Sequence, residues 1–522
     1  MNLDTIKQYL PQQEKAELFG NAAIFEVSVS QIEEIVKDLR NNKNLLLKFV
    51  TATDERETDG CFKIWYIFGA ATEHAFIIPY LRLKNTEDFP SLCGMLHEAC
   101  GYERKIRTFF GLNPVGHLDQ RPIILHENWP ADIYPLRKDF NWQTRPEEAK
   151  GTYQFQKVEG EGIYEIPVGP IHAGIIEPGH FRFSVAGEEI MLLEPRLGFT
   201  HKGSEKLFEQ LSLAESIRLS EKISGDSSFS HSLAFCQAVE ELGEIEVPVR
   251  AKRLRVIYAE LERLANHFSD LGAIMLDAGF NFGGAQGARL REMIMQINER
   301  LTGSRFLRGV NVCGGVLKDI TEEERKMLVR DLVDIDIDFS ELMVIAENSN
   351  SLFNRLKGTG TLLKEIALSY GVTGVAAKAI GIETDNRIDF PYAGYDQLCL
   401  DKIEIEQDGD VHARFHVRVK EVLASIKLIE RALNTLPSGQ ISESFSGTLK
   451  KNAIAISVVE GWRGEILYFV KTNLHGKIER VAPRDPSFIN WTLLEYAGAH
   501  NVVPDFPLIN KSFNLSYTGN DL

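Results

Sequence analysis

The stretch from Val168 to Glu209 reads VGPIHAGIIEPGHFRFSVAGEEIMLLEPRLGFTHKGSEKLFE. Apolar and polar residues alternate on either side of its Ala186-Gly187 pair, and this pattern predicts a β-hairpin. Two other segments are rich in hydroxyl side chains: ISGDSSFSH at residues 223–231, and SFNLSYTGNDL at the C-terminus. A serine hydroxyl is neutral near pH 7 and forms hydrogen bonds, so both segments predict polar, hydrogen-bonded loops and not ligands for a soft metal.

The rest of the chain predicts an α+β fold. Residues 1–150 alternate short apolar runs with helical stretches: LLLKFVTATDE, FKIWYIFGA and AFIIPYLRL are typical of strands, and FPSLCGMLHEAC of a crossover helix. Residues 151–522 contain long amphipathic stretches, and Thr321 with Glu324 forms a capping box at the start of one helix. AIAISVVEGWRGEILYFVK predicts a second antiparallel sheet. We therefore expect a small N-terminal α/β domain, a boundary near Gly151, and a large helical bundle with flanking antiparallel β-sheets.

Composition excludes several classes of protein. The formal net charge of −16 argues against a nucleic-acid surface, which needs clustered Lys and Arg. No apolar run approaches the ~18–20 residues of a membrane-spanning helix. The first twenty residues lack a basic region followed by an apolar one, so we expect a cytoplasmic protein. Six cysteines without CxxC spacing are expected to be reduced, partly buried thiols: Cys61, Cys93, Cys100, Cys236, Cys313 and Cys399.

Together the quoted segments resemble the large subunit of energy-converting, membrane-bound NiFe hydrogenases and the quinone-binding hydrophilic subunit of respiratory complex I. ERKIRTFFGLNPVGH and WPADIYPLRKDF, which end the first domain, resemble the smaller hydrophilic subunit that docks beside the large one. In such hydrogenases two CxxC pairs hold nickel and iron. On that pattern the ligands would fall at Ser224, Ser227, Ser516 and Gly519, where no cysteine remains. The resemblance therefore implies a hydrogenase-related chain that holds no metal.

The resemblance also points to four candidate site residues. Glu177 lies where the family passes protons to and from the metal site, and a carboxylate at a Gly-Pro bend in an apolar setting is suited to proton transfer. His180 aligns with the histidine that binds the quinone head group in complex I. Asp226, at a position usually apolar in the hydrogenases, would refill the former metal pocket together with the serines and His231. Glu177, His180, Asp226 and His231 are thus a candidate proton path or acceptor site.

Two other positions depart from the family. The tyrosine that faces the quinone histidine in complex I would fall at about Gly225, so its phenol is missing. The arginine that lies against the metal's diatomic ligands in hydrogenases is Lys378. The missing phenol weakens the quinone-reductase alternative, and the lost arginine agrees with an absent NiFe cofactor.

The resemblance implies an assembly. We expect this chain to bind no cofactor, and to dock on a small iron-sulfur subunit that holds the cluster, on a ferredoxin-like subunit and on ion-translocating membrane subunits. It would then lie peripherally on the inner face of the cell membrane and couple electron transfer to proton or ion translocation.

Three alternatives stay open at this point. The refilled pocket could bind a quinone or another small redox acceptor, with His180 and Asp226 as donors, in a complex I-like NADH dehydrogenase-type assembly. The chain could be a non-catalytic assembly scaffold. It could also be a working hydrogenase with oxygen ligands, in which case the purified protein would contain nickel.

Overall fold

The computed structural model describes residues 6, 8–10, 16–174, 176–445 and 447–522. The N-terminal domain is built on a mixed sheet in the order β1-β2-β5-β4-β3, with β2 parallel to β5 and the other neighbours antiparallel. Its strands are β1 (Glu17–Phe19), β2 (Ala22–Val27), β3 (Leu46–Glu55), β4 (Cys61–Ala70) and β5 (Ala75–Leu83). The three strands predicted from the apolar runs correspond to β3, β4 and β5, and these predictions are confirmed.

The crossover helix begins later than predicted. Residues 91–96 are irregular, and the helix runs from His97 to Phe110 between two short strands that pair in parallel. These elements are β6 (Asp88–Pro90), β7 (Asn113–Val115) and α3 (His97–Phe110), which follows α1 (Ile32–Lys37) and α2 (Arg56–Asp59). Gly94 lies in the irregular segment, and its low helix propensity is one reason why the helix cannot start at Phe89.

The prediction that all six cysteines are free thiols is wrong. Cys93, just before α3, and Cys100, in its first turn, form a disulfide. Cys61, Cys236, Cys313 and Cys399 are free. The two cysteines are 7 residues apart and do not form a CxxC motif, so their spacing did not indicate the pair. They meet because the turn at 93–95 folds the chain back onto the start of the helix.

The second part of the chain is a helical bundle with a three-stranded antiparallel sheet on either side. One sheet contains β8 (Ile163–Val168), β9 (His180–Ala186) and β10 (Glu189–Arg196), and the other β13 (Ile454–Gly461), β14 (Gly464–Thr472) and β15 (Ile478–Arg484). The short pair β11 (Asn311–Val312) and β12 (Gly315–Val316) lies between them in sequence. The hairpin around Ala186-Gly187 and the second sheet are as predicted.

The helices between and after these strands form the larger hydrophobic core. They are α4 (Ser204–Phe208), α5 (Leu213–Ser220), α6 (Ser228–Gly243), α7 (Val249–Asp277), α8 (Asn281–Thr302), α9 (Glu322–Glu347), α10 (Asn350–Leu356), α11 (Lys364–Ser369), α12 (Gly374–Lys378), α13 (Asn386–Asp389), α14 (Val411–Asn434), α15 (Ser487–Gly498), α16 (Phe506–Phe513) and α17 (Tyr517–Asp521). Helices α7 and α8 approach closely because Gly287 faces Gly272: a Cβ on Gly287 would lie 2.5 Å from the Gly272 Cα atom. The capping box of Thr321 and Glu324 is present at the start of α9, as predicted.

No helix in the described ranges combines the length and the apolar content needed to cross a bilayer. The fold class predicted from sequence, α+β, is confirmed. The domain boundary near Gly151 stays a prediction. It falls in a segment between β7 and β8 that has no regular secondary structure.

Candidate functional site

The four positions at which the resemblance places metal ligands lie close together. Ser224 and Ser227 lie in the loop before α6, and Ser516 is the N-cap of α17, where its hydroxyl accepts the backbone N–H of Gly519 at 2.9 Å. Ser224 Oγ is 2.9 Å from Ser516 Oγ across 292 residues of chain. The loop and the C-terminal helix therefore meet, and serine hydroxyls join them.

A buried arginine lies beside these four positions, and we call the space that they surround the polar pocket. Arg463, at the tip of the β13–β14 hairpin, donates two hydrogen bonds of 2.6 Å to the two carboxylate oxygens of Asp226. The same guanidinium lies 3.3 Å from Ser224 Oγ and 3.4 Å from Ser227 Oγ. Such a bidentate pair fixes geometry as well as charge. The Asp226 side chain is 37% exposed, so its partial desolvation opposes ionisation only in part, and Arg463 outweighs it and holds the pKa of Asp226 below its usual range.

A side chain at position 519 would collide with Asp485 as it stands. A Cβ built there would lie 2.6 Å from Asp485 Cγ. A thiolate at this position would therefore need Asp485 to move. The donor set of serine hydroxyls, a glycine and a guanidinium–carboxylate pair does not fit a nickel–iron centre, which needs thiolate sulfur.

This close approach gives a testable expectation. Replacing Gly519 by alanine should lower the free energy of unfolding by about 1–3 kcal/mol, because the added methyl group overpacks the contact with Asp485. Gly94→Ala is the matched control, since a Cβ at Gly94 meets nothing within 4 Å. Urea unfolding of both variants measures the difference, and equal midpoints would show that Asp485 does not occupy this space.

Asp485 also binds the candidate His231. Its Oδ2 atom is 3.0 Å from His231 Nε2, and the other ring nitrogen of His231 is 3.1 Å from the Tyr468 hydroxyl. Burial disfavours the charged form of Asp485, yet the hydrogen bond from His231 keeps its pKa below the usual range. His231 is therefore a member of the same buried polar cluster as the former ligand positions, since Asp485 touches both.

Glu177 contacts the C-terminal segment of the pocket. Its Oε2 atom accepts the backbone N–H of Thr518 at 3.3 Å, inside the C-terminal segment that carries Ser516 and Gly519. Lys202 Nζ hydrogen bonds to the Thr518 hydroxyl. Burial raises the pKa of Glu177 above its usual value. The carboxyl group thus holds its proton to a higher pH than an exposed glutamate does, and it contacts the segment that carries Ser516 and Gly519.

His180 is not part of the cluster. Its Nδ1 atom is 3.4 Å from the carbonyl oxygen of Gly169, its Nε2 atom is 3.4 Å from Arg182 Nε, and its ring packs against Phe155. Asp226 directs both carboxylate oxygens to Arg463 and the serines. The proposed donor pair of His180 and Asp226 therefore shares no partner among the described residues.

Lys378 also lies outside the pocket. Its Nζ atom contacts Asp385 at 2.9 Å and Glu421 at 2.7 Å in a separate buried charge network. Position 378, where the resemblance would place an arginine, is thus occupied by a lysine that pairs with this network. Arg463 supplies the cation of the pocket instead, a residue that the sequence interpretation overlooked. The signal available in the sequence was Asp226 itself, because a carboxylate at a position that the resemblance places in an enclosed pocket needs a cation nearby.

Glu262 is a second overlooked carboxyl group. It lies on α7, buried against the first turn of α6, and accepts the backbone N–H groups of Phe229 at 2.7 Å and Ser230 at 3.0 Å. Burial raises its pKa to about 7, and the charge of nearby Asp226 acts in the same direction. This carboxyl group therefore titrates near neutral pH beside the candidate site.

Glu262 should make stability depend on pH. The folded protein binds a proton at Glu262 that the unfolded chain releases near pH 4.5, so the unfolding free energy falls as pH rises from about 4.5 to about 7 and then levels. Glu262→Gln should reduce this fall by up to about 3 kcal/mol. Urea unfolding at pH 5 and pH 8 tests it, with the exposed Glu404→Gln as control. If the unfolding free energy of Glu262→Gln falls between pH 5 and pH 8 as much as that of the unchanged protein, Glu262 does not have the raised pKa.

Known proteins resemble this chain over most of its length. Residues 277–454 match the family described as the 49 Kd subunit of respiratory-chain NADH dehydrogenase, and residues 25–146 match the 30 Kd subunit of the same enzyme. Hydrogenase-4 component G of Escherichia coli K12 is 34% identical over 95% of this chain and 87% of its own length. Formate hydrogenlyase subunit 5 of the same strain is 32% identical over 95% of this chain and 88% of its own. NADH-quinone oxidoreductase subunit 4 of Thermus thermophilus is 31% identical over 71% of this chain and 95% of its own length.

Proposed function

Because the chain belongs to the family of fused 30 Kd- and 49 Kd-type hydrophilic subunits of membrane-bound hydrogenases and complex I-like oxidoreductases, we propose that it works in such a complex without a NiFe centre of its own. In this role the chain is the large hydrophilic subunit, and it couples electron transfer in a partner to proton or ion translocation.

The observation that carries the proposal is the Arg463–Asp226 pair. It stands among the former ligand positions, with two hydrogen bonds of 2.6 Å, and the serines around it are bound to each other and to the pair. A polar network that satisfies its own hydrogen bonds holds a pocket in one shape without a metal. This supports a chain that keeps the family's architecture and has given up its reaction with dihydrogen.

Glu177 is the residue to which we assign proton transfer. Burial raises its pKa, and its carboxylate binds the backbone of Thr518, so a change of its charge acts directly on the C-terminal segment. Protonation of Glu177 would weaken its attraction for Lys202, which is joined to the same threonine. The residue is therefore placed to convert a proton transfer into a movement of α17.

The partners follow from the same proposal. A small iron-sulfur subunit would hold the cluster that exchanges electrons, a ferredoxin-like subunit would deliver or remove them, and membrane subunits would move the ion. The chain would lie peripherally on the cytoplasmic face of the membrane through these partners.

Affinity purification of the tagged full chain from membranes tests this assembly. We expect an iron-sulfur subunit and membrane subunits of the ion-translocating type to co-purify in fixed ratio with the chain. Recovery of the chain alone from gently solubilised membranes, at normal expression, would contradict the proposal.

A further inference from the structure

The disulfide of Cys93 and Cys100 lies at the junction of the two domains. Both cysteines line a cavity of about 520 Å³ whose opposite wall is α15, with Phe488 and Trp491. Cys93 is buried, whereas Cys100 is partly exposed. The disulfide shares no residue with the polar pocket described above, although Asn520 of α17 also lines the cavity, and the proposed function does not use it.

The surroundings of Cys100 favour thiol chemistry. It lies in the first turn of α3, the end of a helix whose dipole favours negative charge, and Arg104 one turn later lines the same cavity. Cys93 is within bonding distance as a resolving cysteine. A partly exposed cysteine within bonding distance of a second cysteine is the arrangement found in reversible redox sites.

A metal site at the same place is less well supported. The two sulfur atoms and a ring nitrogen of His117 lie within 4.8 Å of one another. However, His117 Nδ1 accepts the backbone N–H of Asp119 at 3.0 Å, so the ring proton lies on Nε2, which is 3.1 Å from the carbonyl oxygen of Cys100. Both ring nitrogens are therefore already used, and neither is free to bind a cation.

The disulfide is connected to the polar pocket by contacts along α15. Phe488 stacks on Tyr102 of α3 with ring centroids 5.1 Å apart, and it lies next to Gly101, the neighbour of Cys100. Three residues further along α15, Trp491 donates to the carbonyl oxygen of Ser516 at 3.2 Å and packs against Tyr517. A shift of the first turn of α3 therefore acts on the helix that supports the C-terminal segment.

We propose that Cys93 and Cys100 form a reversible dithiol–disulfide site, which exchanges with a low-molecular-weight disulfide such as oxidised glutathione and whose state changes the mobility of α15. In the oxidising direction the Cys100 thiolate attacks one sulfur of glutathione disulfide, forms a mixed disulfide and releases one glutathione thiolate. Cys93 then loses its proton and attacks the Cys100 sulfur, which releases the second glutathione. Two electrons pass from the protein dithiol to glutathione disulfide, and excess glutathione reverses both steps.

The test equilibrates the full chain, in its complex, with glutathione buffers of increasing oxidised fraction. Free thiols are then trapped with N-ethylmaleimide and counted by peptide mass spectrometry. We expect the Cys93–Cys100 peptide to change from two trapped thiols to none, and to recover both on return to reduced glutathione. In Cys93→Ser, Cys100 should instead keep a single glutathione adduct, whereas Cys399→Ser should leave the Cys93–Cys100 response unchanged.

Hydrogen exchange measures the coupling. Backbone amides of α15 should exchange at least about threefold faster in the reduced protein than in the oxidised one, because the constraint on the start of α3 is released. The Cys93→Ser/Cys100→Ser variant should show the same exchange in every buffer. The proposal is overturned if the thiols never pair, if the bond never opens, or if α15 exchanges equally in both states. It is also overturned if the reduced protein binds added Zn²⁺ one to one and then resists alkylation.

Discussion

Replacing Asp226 by alanine is expected to lower the free energy of unfolding by about 3–5 kcal/mol. The change leaves the Arg463 guanidinium, which is only 4% exposed, without its bidentate partner. Arg463→Met should lower the free energy of unfolding by less than Asp226→Ala does, because the Asp226 side chain is 37% exposed and water can solvate the carboxylate that remains. Urea unfolding of the two single variants measures this asymmetry.

The double variant Asp226→Ala/Arg463→Met measures the interaction between the two side chains apart from the contacts that each makes with other residues. Removing both charges leaves no unpaired ion, so the double variant should be more stable than Asp226→Ala alone. Arg305→Ala is the control, because its pair with Glu292 lies on the surface and contributes at most about 1 kcal/mol. Strictly additive losses in the double variant would show that Arg463 and Asp226 do not depend on each other.

Replacing Glu177 by glutamine should reduce ion translocation coupled to electron transfer by about a hundredfold or more, because an amide cannot carry the proton. The amide oxygen can still accept the N–H of Thr518, so the fold and the assembly should be kept. The measurement is ion uptake by vesicles that contain the intact complex, with electron transfer recorded in parallel.

Glu165→Gln is the matched control for this variant. Glu165 lies nearby in sequence but pairs with Arg182 on the surface, 2.7 Å away, and its loss should leave translocation unchanged. If Glu177→Gln translocates ions at the normal rate in an intact complex, Glu177 carries no proton, and the chain is better described as an assembly scaffold.

Local patterns in the sequence predicted much of the fold. The capping box at Thr321, the turn at Ala186-Gly187 and the strands β3 to β5 depend on neighbouring residues, and all are found where expected. The start of α3 was misplaced because the segment from Phe89 to Leu96 was interpreted as helical, whereas it contains the end of β6 and then a turn that a disulfide closes.

The site was predictable only in part. Ser224, Asp226 and His231 lie on one short segment, and the resemblance joined them to the C-terminus. Their partners could not be read from the sequence, because Arg463 meets Asp226 across 237 residues and Asp485 meets His231 across 254. Only the folded chain shows that a hairpin tip and the residue after β15 close the pocket. His180 lies outside this cluster, and its role as an acceptor-site residue stays a prediction, because alignment gives a position and not the direction of a side chain.

The central claim is that a guanidinium–carboxylate pair and serine hydroxyls stand at the positions where the resemblance places metal ligands. Nickel determination by mass spectrometry on the purified intact complex, with dihydrogen uptake and evolution assayed on the same sample, tests it most directly. The arrangement of Ser224, Asp226, Arg463 and Ser516 predicts nickel far below one atom per chain and no turnover of dihydrogen. One nickel atom per chain, lost together with dihydrogen turnover when Ser224 and Ser516 are replaced by alanine, would contradict it.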